Sequence, residues 1–205
     1  MKKYAFSLYE IIIVILLLAI LASFSVPNKK INNLEVLTIQ LKEHIWLTRL
    51  KAMSDNIYTH QNKDNWHKSR WTIKFMNCQE SIGGIYYVIY KDENLKGSPN
   101  KTECVIDPVS KKYLYSNNDC IATSDEDHRI LITKEYEIDK ILISCNQTTT
   151  IGQLSFGRFG EVYTKLSDSS ADNLLRNDCF IDIYDRNDIK KQIKISQNTG
   201  IPEIL

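Results

Sequence analysis

The chain has 205 residues, a length typical of one domain with an appended segment. Apolar residues make up 43% of the chain and charged residues 25%, and the formal net charge at pH 7 is +1. This near-neutral balance argues against a general binder of polyanions, and seven glycines and four prolines are too few for a disordered linker.

The first predicted element is an apolar helix that follows two lysines. Residues 6–26 carry one charge, on Glu10, and a helix of this length reaches about 32 Å, close to the hydrocarbon core of about 30 Å. Lys2 and Lys3 precede the helix, so the positive-inside rule places the N-terminus in the cytoplasm. The sequence therefore predicts a single-pass transmembrane helix with the rest of the chain on the far side.

A cleaved secretory signal peptide is the alternative for the same residues. Such a peptide has a charged start, an apolar stretch of about 7–15 residues and small residues at the cleavage site. The two lysines, the run that begins at Ile11, and Ser23-Phe24-Ser25 would meet these needs. Under this alternative the protein is a secreted soluble binding protein that begins near Val26.

Helical patterning continues beyond the apolar segment. Apolar residues recur at steps of three and four along residues 34–57. These residues are Leu34, Leu37, Leu41, Ile45, Trp46, Leu50, Met53 and Ile57. We expect one long helix from about Phe6 to about Tyr58, with an amphipathic second half. Pro27 would kink this helix, because proline lacks the amide that bonds to the preceding turn; a helix end at Pro27 is the other interpretation.

Glu10 places a carboxylate beside an apolar run, where insertion scales assign a cost of about 2.5–3.5 kcal/mol to an ionised group. Removal of residues 1–5 would give Phe6 a cationic amine one helical turn away, and the helix dipole favours negative charge in the first turn. The amine and the carboxylate could pair within one chain or between neighbouring subunits. In the second case Glu10 would set the register in which helices pack.

The stretch A-F-S-L-Y-E and the apolar run after it resemble the N-terminal signal of type IV prepilins and type II secretion pseudopilins. In that family a prepilin peptidase cleaves before a phenylalanine, which is then N-methylated. The fifth mature residue is glutamate, and the twenty-second is commonly proline. The resemblance implies cleavage between Ala5 and Phe6, methylation of Phe6, an assembly role for Glu10 and a kink at Pro27. Ala5 replaces the usual glycine, and Tyr9 replaces a usual aliphatic residue.

After the helix the pattern changes to short runs with a period of two, bounded by Gly and Asn turns. These runs predict strands at residues 71–75, 85–90, 129–133, 138–145, 153–156, 179–184 and 192–196. The predicted fold is α+β, with a long N-terminal helix packed on an antiparallel β-sheet head. Its predicted divisions are a leader at 1–5, a transmembrane and filament-core helix at 6–27, an amphipathic helix at 28–58 and a β-rich periplasmic head at 59–205.

Five cysteines follow the apolar segment, and none of them lies in a C-x-x-C pair. Disulfides are expected if this part of the chain is outside the cytoplasm, and the odd count leaves at least one thiol unpaired within a monomer. The sequence leaves the pairing open among Cys78, Cys104, Cys120, Cys145 and Cys179. The irregular stretch 95–127 is predicted to be a surface insertion, with Cys104 and Cys120 as one candidate clip.

The sequence contains none of the common motifs for phosphate, zinc or serine-nucleophile chemistry. Its four histidines lack metal-ligand spacing, and His60 and His67 are expected to be exposed. The oxygen-rich stretch Ser167–Asp172 lacks the glycine and terminal glutamate of an EF-hand, so calcium is the less favoured interpretation there. We therefore predict no catalytic residue, no cofactor and no metal, and the protein is predicted not to be an enzyme.

A basic group near the C-terminus is the candidate contact for DNA. It consists of Arg186, Lys190, Lys191 and Lys194, and three aspartates, Asp182, Asp185 and Asp188, lie among them. Lysines that guard a strand edge explain the same residues without nucleic acid. DNA is therefore the less favoured partner.

The last fifty residues extend the resemblance. Residues 154–162 and 193–200 resemble the ending of the H-type minor pseudopilins of type II secretion and the FimT-type minor pilins, although the final glycine comes one residue late. The resemblance implies a minor pilin or pseudopilin that primes or tips a type IV pilus or a secretion pseudopilus, serving secretion, adhesion, motility or DNA uptake. Its implied partners are other pilins, the prepilin peptidase and an inner-membrane assembly platform. Its implied location is the bacterial inner membrane, as a single-pass protein with a periplasmic head, and then the filament.

Overall fold

The computed structural model describes residues 7–24, 32–55, 65–166 and 172–205. The chain divides into two compact units, Met1–Ile31 and Asn32–Leu205. The described part of the first unit is helix α1, Leu8–Phe24. The described part of the second unit contains helix α2, Asn33–Ser54, a short helix α3, Ile132–Tyr136, and eight strands.

Helix α1 is apolar throughout after Glu10 except for one serine. Its 17 residues give a length of about 26 Å, which is less than a hydrocarbon core of about 30 Å. Within the described residues, no helix combines the length and the apolar character needed to cross a membrane. This finding contradicts the predicted transmembrane helix, and it overturns the single-pass placement in the bacterial inner membrane that depended on that helix.

Helix α2 has a start of its own. The Asn32 side chain accepts hydrogen bonds from the backbone N–H groups of Leu34 (3.1 Å) and Glu35 (3.4 Å), which is the arrangement of an N-cap. The helix ends at Ser54, and Asp55 follows in an extended conformation. These two ends define a helix of 22 residues.

The predicted continuous helix from Phe6 to Tyr58 is therefore wrong. The described residues form two helices: α1 is apolar on all sides after Glu10, and α2 carries the apolar spacing with its own start at Asn32. Phe6, Pro27 and Tyr58 lie outside the described residues, so the predicted kink at Pro27 stays a prediction.

The first sheet contains four antiparallel strands in the order β2-β1-β4-β5. Their bounds are β1 Trp71–Asn77, β2 Ile85–Lys91, β4 Gly152–Phe156 and β5 Val162–Tyr163. Strand β1 lies in the middle, with Ile73 opposite Ile89 of β2 on one side and opposite Leu154 of β4 on the other. All three of these side chains are fully buried, which explains the apolar character of the central strands.

The second sheet also contains four antiparallel strands, in the order β3-β6-β7-β8. Their bounds are β3 Lys140–Ile143, β6 Cys179–Tyr184, β7 Lys190–Ile195 and β8 Pro202–Ile204. Strand β6 alternates buried and half-buried residues, as a strand with one face on a core does. The predicted head with one sheet is therefore wrong, because the strands separate into two sheets.

Helix α2 joins the two sheets. It contacts β1 and β4 of the first sheet and β6, β7 and β8 of the second. Leu37, Leu41 and Ile45 on its inner face are fully buried in the core shared with both sheets. Burial of each such side chain stabilises the fold by about 2 kcal/mol. The predicted spacing at residues 34–45 matches this inner face, whereas Leu50 and Met53 of the same prediction are exposed.

Six of the seven predicted strands overlap observed strands and are confirmed in position. The prediction at 129–133 is wrong, because Asp127 accepts a hydrogen bond from the Arg129 N–H and caps a 3-10 turn, His128–Ile130, which leads into α3. Helix α3 ends where Glu137 adopts a left-handed conformation. Strands β5 and β8, of two and three residues, escaped prediction because they are too short to show a period.

Near the C-terminus, the turn that contains Gly200 lies close to the turn that contains Gly160. Gly200 has a φ of +65°, and a Cβ at this position would lie 2.5 Å from the Gly160 carbonyl oxygen. Arg49 of α2 donates a hydrogen bond from Nε to the Thr199 carbonyl oxygen at 2.7 Å. The two glycines that carry the C-terminal resemblance therefore have a structural reason in this chain, since a side chain at either would crowd the contact.

Candidate functional site

The start of α1 is fixed by a reciprocal pair of hydrogen bonds. The Ser7 backbone N–H donates to Glu10 Oε2 at 2.9 Å, and the Glu10 backbone N–H donates to Ser7 Oγ at 3.3 Å. This is a capping box, in which two helix-end donors are satisfied by side chains three residues apart. The spacing Ser-x-x-Glu before an apolar run predicts it, and our interpretation of Glu10 overlooked that signal.

The surface of α1 is apolar and open. Every described side chain from residue 7 to residue 20 is exposed, and residues 11–20 are all aliphatic. A contiguous exposed apolar surface of this kind marks an interaction site on a protein. Ala5 and Phe6, the predicted cleavage and methylation residues, and Pro27, the predicted kink, lie outside the described residues.

Four of the five candidate cysteines form two disulfides. Cys78 bonds to Cys120 and Cys145 bonds to Cys179, with Cα–Cα distances of 5.7 and 5.4 Å. Cys104 is a buried thiol, and burial raises its pKa well above the ordinary value. The candidate clip between Cys104 and Cys120 is therefore wrong. Within the insertion, Val105 instead donates its N–H to the Ile89 carbonyl oxygen, which lays this segment along strand β2.

An apolar groove of about 520 Å³ lies along the outer face of α2. One wall is a stripe of α2 that includes Val36, Ile39 and Leu50, and the other wall is formed by Pro108 and Val109 of the insertion. Ile39 is 48% exposed and Val109 is 80% exposed. Helix α2 thus has a second apolar face, opposite the face that packs into the core. We call this feature the α2 groove.

The base of the second wall is held by a cluster of charges. Arg129 Nη2 donates to Asp107 Oδ2 and to Asp127 Oδ2, each at 2.6 Å, and Arg129 Nε donates to Asp127 Oδ1 at 3.0 Å. Ser110 Oγ donates to Asp127 Oδ2 at 2.6 Å. Burial raises the pKa of Asp127, but the hydrogen bonds from Arg129 and Ser110 outweigh burial and hold the pKa at about 2. We call this cluster the Arg129 clamp.

A second polar group connects α2 to the clamp. His44 Nδ1 lies 2.6 Å from the Tyr87 hydroxyl, and His44 Nε2 lies 3.9 Å from Asp107 Oδ1. Gln40 Nε2 donates to the same Tyr87 oxygen and to the Arg129 carbonyl oxygen, each at 2.9 Å. Burial lowers the pKa of His44 to about 4, so the ring is neutral at pH 7 and Tyr87 can donate its proton to Nδ1.

These polar residues form a structural hydrogen-bond network. Their hydrogen bonds are internal, and Asp107, Asp127 and His44 are buried. Sequence analysis did not bring them together, because Gln40 and His44 meet partners more than forty residues away. Two local signals exist: the spacing of Asp127 and Arg129, and that of Asp107 and Ser110, each of which permits a side-chain to backbone bond in a turn.

Three of the four basic residues in the candidate DNA contact are paired with carboxylates. Arg186 lies 3.7 Å from Glu137 and 3.5 Å from Asp139. Lys190 lies 3.6 Å from Asp182, and Lys194 lies 3.1 Å from Asp178. Because these three cations have acidic neighbours, the group offers phosphate little uncompensated positive charge.

Within the residues that the structure describes, no group of three or more His, Cys, Asp and Glu side chains is placed to hold a metal ion. Residues 167–171 of the candidate calcium stretch lie outside these residues, as does His60. His67 is buried, so its predicted exposure is wrong; it lies in a 3-10 turn, Trp66–Lys68, with its ring edge-on to Trp66.

Comparisons of the chain with protein-family models, with curated proteins and with solved structures give no match in any of the three.

Proposed function

We propose that this chain is a pilin-like subunit whose helix α1 packs against the α1 helices of other subunits in a filament. The observation that carries the proposal is the surface of α1, where ten consecutive aliphatic residues, 11–20, are exposed in the single chain. Covering such side chains contributes roughly 25 cal/mol for each Å² removed from water. Helices of other copies would supply that cover.

The start of α1 supports the same proposal. Glu10 Oε2 is engaged by Ser7, while no hydrogen bond joins Glu10 Oε1 to any other described residue. Cleavage between Ala5 and Phe6 would create an amine directly before Ser7. Glu10 could then keep the cap with one oxygen and accept from the amine of its own or a neighbouring chain with the other. The carboxylate would thereby couple the start of the helix to assembly.

The mature N-terminus tests this proposal. Mass spectrometry of protein from the native host is expected to find a chain that begins at Phe6 and carries an N-methyl group. The second candidate, a secreted soluble binding protein, predicts a chain that begins near Val26. That candidate is favoured by the compact unit Asn32–Leu205, which has its own helix cap and both disulfides. A mature chain with Met1 still attached would contradict both.

Two substitutions of Glu10 separate its charge from its capping role. Glu10→Gln keeps an oxygen for the Ser7 N–H but removes the negative charge, whereas Glu10→Ala removes both. We expect both variants to accumulate normally and to enter filaments at least tenfold less than the unchanged chain. Glu80→Ala, at an exposed turn of the second unit, is the matched control. Normal incorporation of Glu10→Gln would show that the charge has no role in assembly.

A further inference from the structure

The α2 groove and helix α1 are complementary surfaces carried by the same chain. We propose that the α2 groove of one copy binds helix α1 of a second copy. This inference rests on the proposed function and deepens it, because it names the surface of the folded unit that receives the assembly helix. The argument uses the shape of the groove, its charges and the length of its occupant.

The shape of the groove is fixed before anything binds. Pro108 and Val109 follow Asp107 directly, and Asp107 is held by Arg129 and by the Ser110 N–H at 2.8 Å. On the opposite wall, α2 is anchored by its inner face in the core. A groove between two anchored walls loses little conformational freedom on binding, and this favours affinity.

The charges at the groove disfavour an acidic occupant. Glu43 lines the groove, and the Arg129 guanidinium is already matched by two carboxylates. A carboxylate placed here would leave water for a position next to like charges and without a cation. The apolar side chains of Ile39, Leu50 and Val109 form most of the remaining contact surface. The groove therefore favours a segment that has an aliphatic surface and no acidic side chain.

Helix α1 meets these requirements in composition and in length. Residues 11–20 are uncharged and aliphatic, and α1 as a whole is about 26 Å long. The stripe of α2 from Val36 to Leu50 spans about 21 Å at 1.5 Å per residue. Side chains at steps of three and four on α1 can therefore interdigitate with the stripe along its whole length.

Cross-linking between two differently tagged copies tests the proposal. One copy carries Val14→Cys in α1, the other carries Ile39→Cys in the groove, and both are expressed together in full length. A short bis-maleimide is then added to the assembled protein. We expect a product that contains both tags. Ile82→Cys replaces Ile39→Cys in the control, because Ile82 is 51% exposed but lies outside the groove. The chain without added cysteines is the blank, since its one thiol, Cys104, is buried.

The product with both tags should be at least tenfold more abundant for Ile39→Cys than for Ile82→Cys. Equal yields would overturn the groove as the binding surface. If the main product joined two Ile39→Cys copies to each other, the proposal would also be overturned, because the groove would then bind α2 of the second copy. If Val14→Cys joins the α1 helices of two copies but does not join Ile39→Cys, the groove proposal fails and the proposed function stands. If no oligomer forms through α1 at all, the proposed function fails as well.

A charged residue introduced into the α2 groove provides a second, independent test of the proposal. Val109→Asp introduces a carboxylate on the exposed wall, where it should leave the folded unit intact and lower incorporation into filaments about tenfold. Ile82→Asp is the matched control and should lower incorporation by less than twofold. An unchanged thermal unfolding midpoint for both variants verifies that they fold. Equal incorporation of the two variants would overturn the proposal.

Discussion

Helices α1 and α2 are both rich in aliphatic residues, but they differ in where their polar groups find partners. In α1 the bonds of Ser7 and Glu10 stay within the first turn. In α2, Gln40 and His44 meet Tyr87, and Arg49 meets Thr199, which is 150 residues away along the chain. Distant polar partners specify one position for α2, whereas the surface of α1 specifies only that its partner is apolar.

This difference explains how one chain can combine a unit in which α2 has one position with a helix, α1, that accepts different apolar neighbours. A buried polar group left without its partner costs about 1–3 kcal/mol, so α2 has one favourable position within its unit. Aliphatic side chains leave no polar group unpaired when one apolar neighbour replaces another. Under the proposed function, residues 11–20 of α1 therefore have no polar requirement that restricts them to one neighbouring helix.

The largest expected effect comes from breaking the Arg129 clamp, which holds Asp107 and Asp127 of the insertion. Arg129→Met removes the guanidinium and leaves two buried carboxylates, Asp107 and Asp127, without their cation. We expect the free energy of unfolding to fall by about 3 kcal/mol, as for other broken buried ion pairs. Urea unfolding at pH 7, followed by tryptophan fluorescence, measures the change.

Arg186→Met is the matched control for this prediction. Arg186 is 60% exposed and pairs with Glu137 and Asp139 at the surface, so its loss should cost less than about 1 kcal/mol. The double substitution of Arg129→Met with Asp127→Asn should recover part of the lost stability, because the unpaired charge is removed. Similar losses for the two arginine variants would contradict the role assigned to the clamp.

His44 makes the stability of the second unit depend on pH. Burial lowers the pKa of His44 from 6.5 to about 4 in the folded chain, so the unfolded chain binds the proton first as the pH falls. Stability from this group is therefore complete above pH 6.5 and is lost between pH 6.5 and about 4. Each pKa unit corresponds to about 1.4 kcal/mol, so we expect a loss of about 2 kcal/mol between pH 7 and pH 4.5.

The substitution His44→Gln should remove most of this loss, since the amide can still accept from Tyr87 but does not titrate in this range. His128→Gln is the control: His128 is largely exposed, and the substitution should leave the loss unchanged. The two carboxylates nearest to His44 stay ionised over this pH range, because the pKa of Asp107 and that of Asp127 are held below 3.8. An unchanged pH dependence in His44→Gln would assign the loss to another group.

The sequence predicts those features whose causes are local. The period of three and four identifies the inner face of α2 over residues 34–45, and the period of two identifies six strands. The continuous helix is wrong because periodicity cannot show that Asn32 starts a second helix; the asparagine itself was the available signal. The strand at 129–133 is wrong because a capping aspartate outweighs the β-branched residues that follow it.

The candidate site was predictable only at its N-terminal end. Aliphatic residues 11–20 and Glu10 are visible in the sequence, as is the capping spacing that we overlooked. The α2 groove depends on Pro108 and Val109 being carried to α2 by the clamp, and on partners that are distant along the chain. The cysteine pairing likewise depends on partners distant along the chain, since Cys78 meets Cys120 across 42 residues.

The smallest expected effect is at the start of α1, where the comparison of the two helices can be tested directly. Ser7→Ala removes the side-chain acceptor of the capping box and should destabilise the first turn of α1 by about 1 kcal/mol. Amide hydrogen exchange in that turn should then become about fivefold faster, while exchange in α2 stays the same because its bonds lie within another unit. Ser54→Ala is the control, since Ser54 Oγ donates to the Lys51 carbonyl oxygen and caps no N–H group. Faster exchange throughout α2 in Ser7→Ala would show that the two helices are coupled.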